Sequence, residues 1–578
     1  MNHLLIAHPP NDAIIDKAVP HFATPPIRKT TPHASFVFFQ HERSLFKPIA
    51  DTYFLCGTLL NPDAIASLCT RHAFEDLDGV FVLAEVTDEK IVLVTDRFGF
   101  QPLYVYQRPG QTLYATSLDV LALIVEDKTI NWNAWADLMT YGTCLEEGTQ
   151  FNEITLVGHG HCIEIEADIR QRRYEDYMTT TARRMPLAQR MDELDAALNQ
   201  FMVDLRALST EIIAPLSGGM DSRLSTATLA RFQPVHCFTS NKDAGKFGDH
   251  GEMELAEEVC TALNGTFTPI PLSPSFFPRY FHELLIQSNF ETWIHTWYGP
   301  FIDALPASYS CILDGLGETA FKGDCKISKR SIALAKKQRW GALCTYLDPV
   351  YRIILMDRLT KQEEVRYFPD EIQQIIKARK KTAFAREIER YPKNESLPLN
   401  LLMNVRTKRH IGPSVYQIVA RKYNVFSPYL SRDVSRVLLG IPLEEKVNHR
   451  FMQRFFAAKL PEVAGLPTTS IKTGLTRQFE LLPFRLAYFS PKVVEMVGFA
   501  IKPGLMQGST RYAEATYAWL LTLLDEHAHS PFATDSQTVM APHIDKPVSY
   551  RIDILVNILM FELWYARYFL GKLEVIRE

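Results

Sequence analysis

Residues 212–223 read IIAPLSGGMDSR. Ile212 and Ile213 begin an apolar run to Leu216, Ser217-Gly218-Gly219 form a turn of small residues, and Asp221 and Ser222 open the run LSTATLARF. This order predicts a buried strand, a tight turn and the start of a helix. Such a turn aims backbone N–H groups and a helix N-terminus at an anion. Its glycines let the backbone approach a ligand where a side chain would collide. Ser217 and Ser222 add hydroxyl donors, whereas the acid Asp221 is suited to a Mg²⁺ that travels with a phosphate. The same letters also fit a plain strand-to-helix turn whose hydroxyls cap the helix.

The full string resembles the SGGxDS pyrophosphate loop of the ATP-pyrophosphatase superfamily of adenylating enzymes. It is not a Walker-type loop, because the glycine spacing differs and no Gly-Lys-Ser/Thr follows. The resemblance implies AMP transfer to an oxygen with release of pyrophosphate. It assigns Leu216, Ser217, Gly218, Gly219, Asp221 and Ser222 to ATP.

The chain has 578 residues, 47% of them hydrophobic and 22% charged, with a formal net charge of -4. That length predicts two or more domains, and that charge offers no argument for a nucleic-acid partner. The nine cysteines show no metal-ligand spacing. The opening MNHLLIAHPPNDAI lacks the basic start and long apolar run of a signal peptide. VNILMFELWYARYFLG comes nearest to a membrane span, but Glu562 and Arg567 interrupt it. A reduced, cytoplasmic enzyme is expected.

Residues 1–190 are rich in short apolar runs: HASFVFFQ, DTYFLCGTL, GVFVLAEV, KIVLVTD, PLYVYQR, QTLYATS and HCIEIEA, separated by Gly, Pro, Asp and Asn. They predict a mostly antiparallel sheet of mixed exposure, with one helix over DAIASLCTRHAFE. Within this part, residues 77–106, LDGVFVLAEVTDEKIVLVTDRFGFQPLYVY, resemble the glutaminase-type domain of asparagine synthetases. Phe151-Asn152-Glu153-Ile154 and the turn at Gly158-His159-Gly160-His161 resemble the same family. Asp96 and Arg97 are expected to form a structural ion pair or turn network. The resemblance implies an Ntn-hydrolase-like fold, but its nucleophile is an N-terminal cysteine, and the sequence here opens Met1-Asn2-His3 with no cysteine before Cys56. An asparagine amide cannot form a thioester. The part is therefore expected to serve as an inactive scaffold, as in the β-lactam synthetases and lasso-peptide cyclases that share the architecture.

A boundary is expected near 175–195, giving a degenerate glutaminase-like domain over 1–190 and an adenylating domain over 191–578. PVHCFTSN and TFTPIPL read as further strands of a doubly wound α/β sheet, and Glu254 and Glu257 are expected to face solvent. CILDGLGETAFKG (311–323) resembles the SGxGxDExFxGY segment of the asparagine synthetase fold, one residue short between glycine and acid. The resemblance assigns Gly315 and Gly317 to the nucleotide and Glu318, with Asp314 as substitute, to Mg²⁺ beside Asp221. Local sequence fits equally a helix cap at Asp314 and an exposed Glu318. The tyrosine that β-lactam synthetases place just before this acid has no counterpart.

Lys377, Arg379, Lys380 and Lys381 predict a solvated helix face, or a patch for an acidic peptide. NVRTKRHIGPSVYQIVARKYNVFSPYLSRDV resembles the helix and strand break of asparagine synthetases, with Ser427-Pro428-Tyr429-Leu430-Ser431 in place of PFLD. There Arg406 and Arg409 fall where cleft-facing residues lie, as possible substrate contacts. Lys472, before Thr473-Gly474, matches the family's lysine that steadies the acyl-adenylate, a task suited to its compact charge. The helical text beyond 480 is expected to pack.

Together these resemblances imply an ATP- and Mg²⁺-dependent, AMP-forming carbon–nitrogen ligase. Asp221, Glu318 and Lys472 are its expected catalytic residues. The expected reaction is lasso-type macrocyclisation of a ribosomal precursor peptide, with a leader peptidase and a leader-binding protein as possible partners. β-Lactam or carbapenam synthesis, ammonia-dependent amide ligation and a non-catalytic peptide scaffold are the alternatives.

Overall fold

The computed structural model describes residues 1–240, 252–270, 276–293, 298–320, 327–355, 367–468, 510–544 and 548–572. The first eleven strands are β1 (His3–His8), β2 (Pro26–Thr30), β3 (Ser35–Phe39), β4 (Tyr53–Leu59), β5 (Gly79–Val86), β6 (Ile91–Thr95), β7 (Tyr104–Arg108), β8 (Gln111–Ala115), β9 (Ile154–Leu156), β10 (His161–Ile165) and β11 (Ile169–Arg173). They form two antiparallel sheets, ordered β2-β3-β1-β8-β7-β9 and β11-β10-β6-β5-β4. Leu4, Ile6, Phe36, Phe38, Phe54, Val82, Leu93 and Ile163 fill one core shared by the two sheets. Their chain neighbours Leu5, Val37, Leu55, Leu83 and Val94 belong to a second core on the outer faces.

Strands buried on both faces lose the alternation of apolar and polar residues. This corrects the expectation of mixed exposure: β3 and β6 are buried at every position. Helices Asp12–Ala18, Leu118–Ile124 and Trp132–Tyr141 belong to the same part of the chain. Each buried Phe or Leu contributes roughly 1.5–3 kcal/mol relative to exposure.

The helix Leu187–Leu208 marks the passage to the second half, burying Leu194, Leu198, Phe201, Met202 and Leu205 as one stripe. It delivers the chain into β12 (Ile212–Pro215), which pairs in parallel with β13 (His236–Ser240), and β13 with β14 (Thr266–Ile270). The chain then returns to the other side of β12 with β15 (Cys311–Leu313), followed outward by β16 (Asn424–Phe426). The order β14-β13-β12-β15-β16 reverses direction between β12 and β15. Crevices at such a switch point, beyond the carboxyl ends of the strands, are where open α/β sheets bind ligands.

The two halves meet at several places. Thr58 Oγ1 on β4 donates to Val425 O on β16 at 2.7 Å. Glu254 and Glu257 are exposed, as expected. Of the basic run, Lys377 and Lys381 are exposed, but Arg379 is buried and donates to both Asp137 carboxylate oxygens at 2.9 and 2.7 Å. The solvated face is thus narrower than the run of letters suggests. The helix Val548–Phe569 seats Trp564 against Trp135 and Phe151, with ring centroids 5.2 and 5.1 Å apart, and pairs Arg567 with Asp119.

Lys446 is fully buried, and its ammonium donates to Leu438 O at 2.8 Å. Burial first, then the Arg190 guanidinium, pushes it from 10.5 down to about 7. Between these two values the unfolded chain holds a proton that the folded chain lacks, so this residue makes stability rise with pH from about 7 to about 10.5. The swing is about 5 kcal/mol at 1.36 kcal/mol per pH unit. Lys446→Met is expected to raise the thermal midpoint at pH 7, the gain shrinking towards pH 10. Differential scanning fluorimetry across that range checks it; an equal gain at both ends would contradict the assignment.

Candidate active site

Ser217, Gly218 and Gly219 leave the carboxyl end of β12, and the helix Met220–Ala230 begins immediately after them. The turn is held by its own hydroxyls. Ser217 N donates to Ser222 Oγ at 3.0 Å, Gly219 N donates to Ser217 Oγ at 3.2 Å, and the two hydroxyl oxygens lie 2.9 Å apart. Leu216 is buried and its N–H donates to Phe238 O on β13 at 2.9 Å, which fixes where the turn starts.

The second loop leaves the neighbouring strand β15. Asp314 is buried, its N–H donates to Phe426 O at 2.8 Å, and its Oδ1 accepts from Leu316 N at 2.7 Å. Gly315 packs on the first loop: a Cβ there would lie 3.2 Å from Ser222 N and 3.6 Å from Asp221 Cβ. Gly317 has φ +100°, and a Cβ there would lie 2.7 Å from Leu430 Cδ2. Both positions require the missing side chain, one for close approach and one also for its backbone angle.

Tyr429, inside the string Ser427-Pro428-Tyr429-Leu430-Ser431, joins the two loops. Its hydroxyl donates to Asp221 O at 2.7 Å, and its Cβ lies 3.0 Å from where a Cβ on Gly317 would be. Burial first, then the carboxylate of Asp221 and, more weakly, those of Glu318 and Asp314, push its phenol well above the ordinary value. All three acids therefore act on one buried ring. The signal for Tyr429 was its position right after the strand now seen as β16.

Glu318 is buried in a short turn of helix, Glu318–Ala320, with Arg406 Nη1 3.7 Å from its Oε1. Thr319 and Thr407 hydroxyls are 2.7 Å apart, tying that turn to the π-helical stretch Leu402–Ile411. Arg406 is about a quarter exposed, whereas Arg409 is buried and turned elsewhere, donating to Gly148 O at 2.7 Å and facing Glu291 at 3.5 Å. The structure thus brings Ser217, Asp221, Ser222, Gly315, Glu318 and Arg406 to one edge of the sheet and leaves Arg409 out of it. Lys472 lies outside the described residues. The chain leading towards it does reach the site: Arg223, buried on the Met220–Ala230 helix, donates to the carbonyls of Val463, Leu466 and Pro467, and Thr468 Oγ1 donates to Gly218 O at 3.0 Å.

The donor set suits a phosphate-borne Mg²⁺. Carboxylates and hydroxyls are hard ligands, and Mg²⁺ commonly takes only one or two carboxylates beside phosphate oxygens. Among the described residues no cluster of three or more His, Cys, Asp or Glu forms a ready metal nest. At the end of β13 the buried Ser240 Oγ has no hydrogen-bond partner among the described residues.

In the first half, Asn2 is buried, donating to Phe46 O at 3.1 Å and Leu55 O at 2.8 Å and accepting from His41 N at 2.8 Å. Cys56 is buried, and burial pushes its thiol above the ordinary range, which makes it a poor nucleophile. The Asp96 carboxylate accepts from the N–H groups of Phe98, Gly99, Phe100 and Gln101, the turn network expected of it, and Arg97 pairs with Glu175 instead.

Residues 64–177 match a family model for the glutamine amidotransferase domain. No curated protein matches the chain. Similar solved structures include glutamine phosphoribosylpyrophosphate amidotransferase from B. subtilis complexed with ADP and GMP, at 10% identity over 46% of this chain and 90% of that one, with a TM-score of 0.21. Another is the allosteric regulatory enzyme of purine biosynthesis, at 10% identity over 48% of this chain and 81% of that one, with a TM-score of 0.23. Residues 64–177 are thus glutamine amidotransferase-like, and the distant structural likenesses carry nothing about substrates.

Proposed function

We propose that this amidotransferase-like chain is an ATP-dependent, AMP-forming carbon–nitrogen ligase that closes a ring in a ribosomal precursor peptide. An Asp or Glu side-chain carboxylate would be adenylated, and the peptide's N-terminal amine would then attack the acyl-adenylate to form an isopeptide bond. The observation that carries the reading is the meeting of the Ser217–Ser222 and Asp314–Glu318 loops at the switch point of a parallel sheet, with Tyr429 bridging them. An adenine-nucleotide hydrolase-like fold for the second half accords with that strand order.

In this scheme the Ser217 and Ser222 hydroxyls and the loop N–H groups hold pyrophosphate, for which they must exchange their mutual hydrogen bonds. Asp221 and Glu318 hold Mg²⁺, which when bound would offset charge on the leaving pyrophosphate. Arg406 is offered to the substrate carboxylate, because its guanidinium lies beside Glu318 and is partly open to solvent. Lys472 would steady charge on the α-phosphate and carbonyl oxygen as acyl transfer proceeds. The ring-closing choice assigns no ammonia release to the amidotransferase-like part, where the thiol of the buried Cys56 is pushed up by burial and supplies no thiolate.

The test is release of pyrophosphate from ATP and Mg²⁺ by the full chain, with candidate precursor peptides and, separately, small amino carboxylates. The expected result is peptide-dependent release accompanied by a peptide product lighter by one water. Release with a small β-amino acid and not with peptides would replace macrocyclisation by small-ring synthesis. No release with any acceptor would remove the ligase reading.

A further inference from the structure

On the side of Leu402–Ile411 away from Glu318 lies a second, small cleft, lined by both parts of the chain. Phe100, Tyr104, Leu156 and Val405 supply apolar wall, and Lys408 supplies a cation. Lys408 stands two positions beyond Arg406, so one helical stretch presents Arg406 to Glu318 and Lys408 to this cleft.

The other charges of the lining are committed. Glu147 and Glu387 pair with Arg390, Glu146 with Arg379 at 2.9 Å, Glu291 with Arg409 at 3.5 Å, and Arg173 with Asp176 at 2.9 Å. His159 Nε2 is 3.2 Å from Asp176 Oδ1, and burial pushes its pKa down to about 4, so it is neutral near pH 7. Lys408 makes no hydrogen bond or ion pair among the described residues. An ammonium that has lost most of its water, among neighbours already paired with one another, gains from an anion that enters beside it. Burial pushes Lys408 down to about 8, in line with such a setting.

We propose that this cleft binds a small organic acid, its carboxylate on the Lys408 ammonium and its apolar body against Phe100, Tyr104 and Val405. A single compact ammonium balances one negative charge, whereas the guanidiniums that would fork around a phosphate are already paired. The site is independent of the adenylation reading, since none of the nucleotide-loop residues lines it.

The experiment acetylates the full chain with an N-hydroxysuccinimide ester and follows each lysine by mass spectrometry. The unprotonated amine displaces N-hydroxysuccinimide from the ester carbonyl and releases its proton to water. Benzoate is the probe. Labelling of Lys408 should slow about tenfold at ten times the half-protecting concentration, as single-site mass action requires, while exposed Lys377 and Lys381 label unchanged. Calorimetric benzoate binding should vanish in Lys408→Met and survive in Lys408→Arg, which keeps the charge. Undiminished labelling under saturating benzoate would overturn the proposal. So would equal protection by inorganic phosphate, or unchanged benzoate binding by a folded Lys408→Met.

Discussion

Asp221→Ala should reduce peptide-dependent pyrophosphate release at least about 100-fold, roughly 3 kcal/mol of transition-state stabilisation, the scale on which a metal or oxyanion contact acts in a catalytic site. The residue sits in the first turn of the helix that starts directly after the glycine turn, and its side chain is only partly buried. Its backbone, which receives the Tyr429 hydroxyl, is unchanged by the substitution. The fold should therefore survive, and near-native circular dichroism should accompany the lost release. Glu257→Ala, on an exposed helix face away from both loops, should release pyrophosphate at the parent rate. Full activity in Asp221→Ala would remove the metal assignment, and with it the pairing of Asp221 with Glu318.

The largest effect on stability is expected at Arg567. Its guanidinium is 1% exposed and donates to both oxygens of Asp119 at 2.6 and 2.7 Å, while Tyr568 adds its hydroxyl at 2.7 Å. Arg567→Met would leave the Asp119 carboxylate buried without its cation, a loss of about 3–5 kcal/mol. Removing both charges, as in Asp119→Leu with Arg567→Met, should recover much of that loss, because no uncompensated charge remains. Urea midpoints of the two variants decide the matter. If the double variant is as unstable as the single one, packing rather than charge accounts for the loss.

Much of this arrangement was legible from local letters. IIAPLSGGMDSR became a strand, a turn and a helix start because branched residues, glycines and a hydroxyl pair act within a few positions of one another. The loop at Asp314–Glu318 was readable for the same reason. Tyr429 was not, since its role depends on β16 pairing beside β15, a neighbour more than 100 residues earlier. Arg379 likewise looked like one more solvated charge, and only the approach of Asp137, 242 residues away in sequence, buries it. Arg409 shares a helical stretch with Arg406, yet the wider winding over Leu402–Ile411 sends it to Gly148 and Glu291. Spacing rules for an α-helix do not foresee that turn.

The helix Val548–Phe569 has a consequence for the order in which the chain can mature. During synthesis the apolar face carrying Trp132, Trp135 and Phe151 emerges long before Phe561 and Trp564, the rings that cover it. The amidotransferase-like part therefore stays uncovered on the ribosome until the Val548–Phe569 helix has been made. Its exposed aromatic face is a natural place for chaperone contact in that interval.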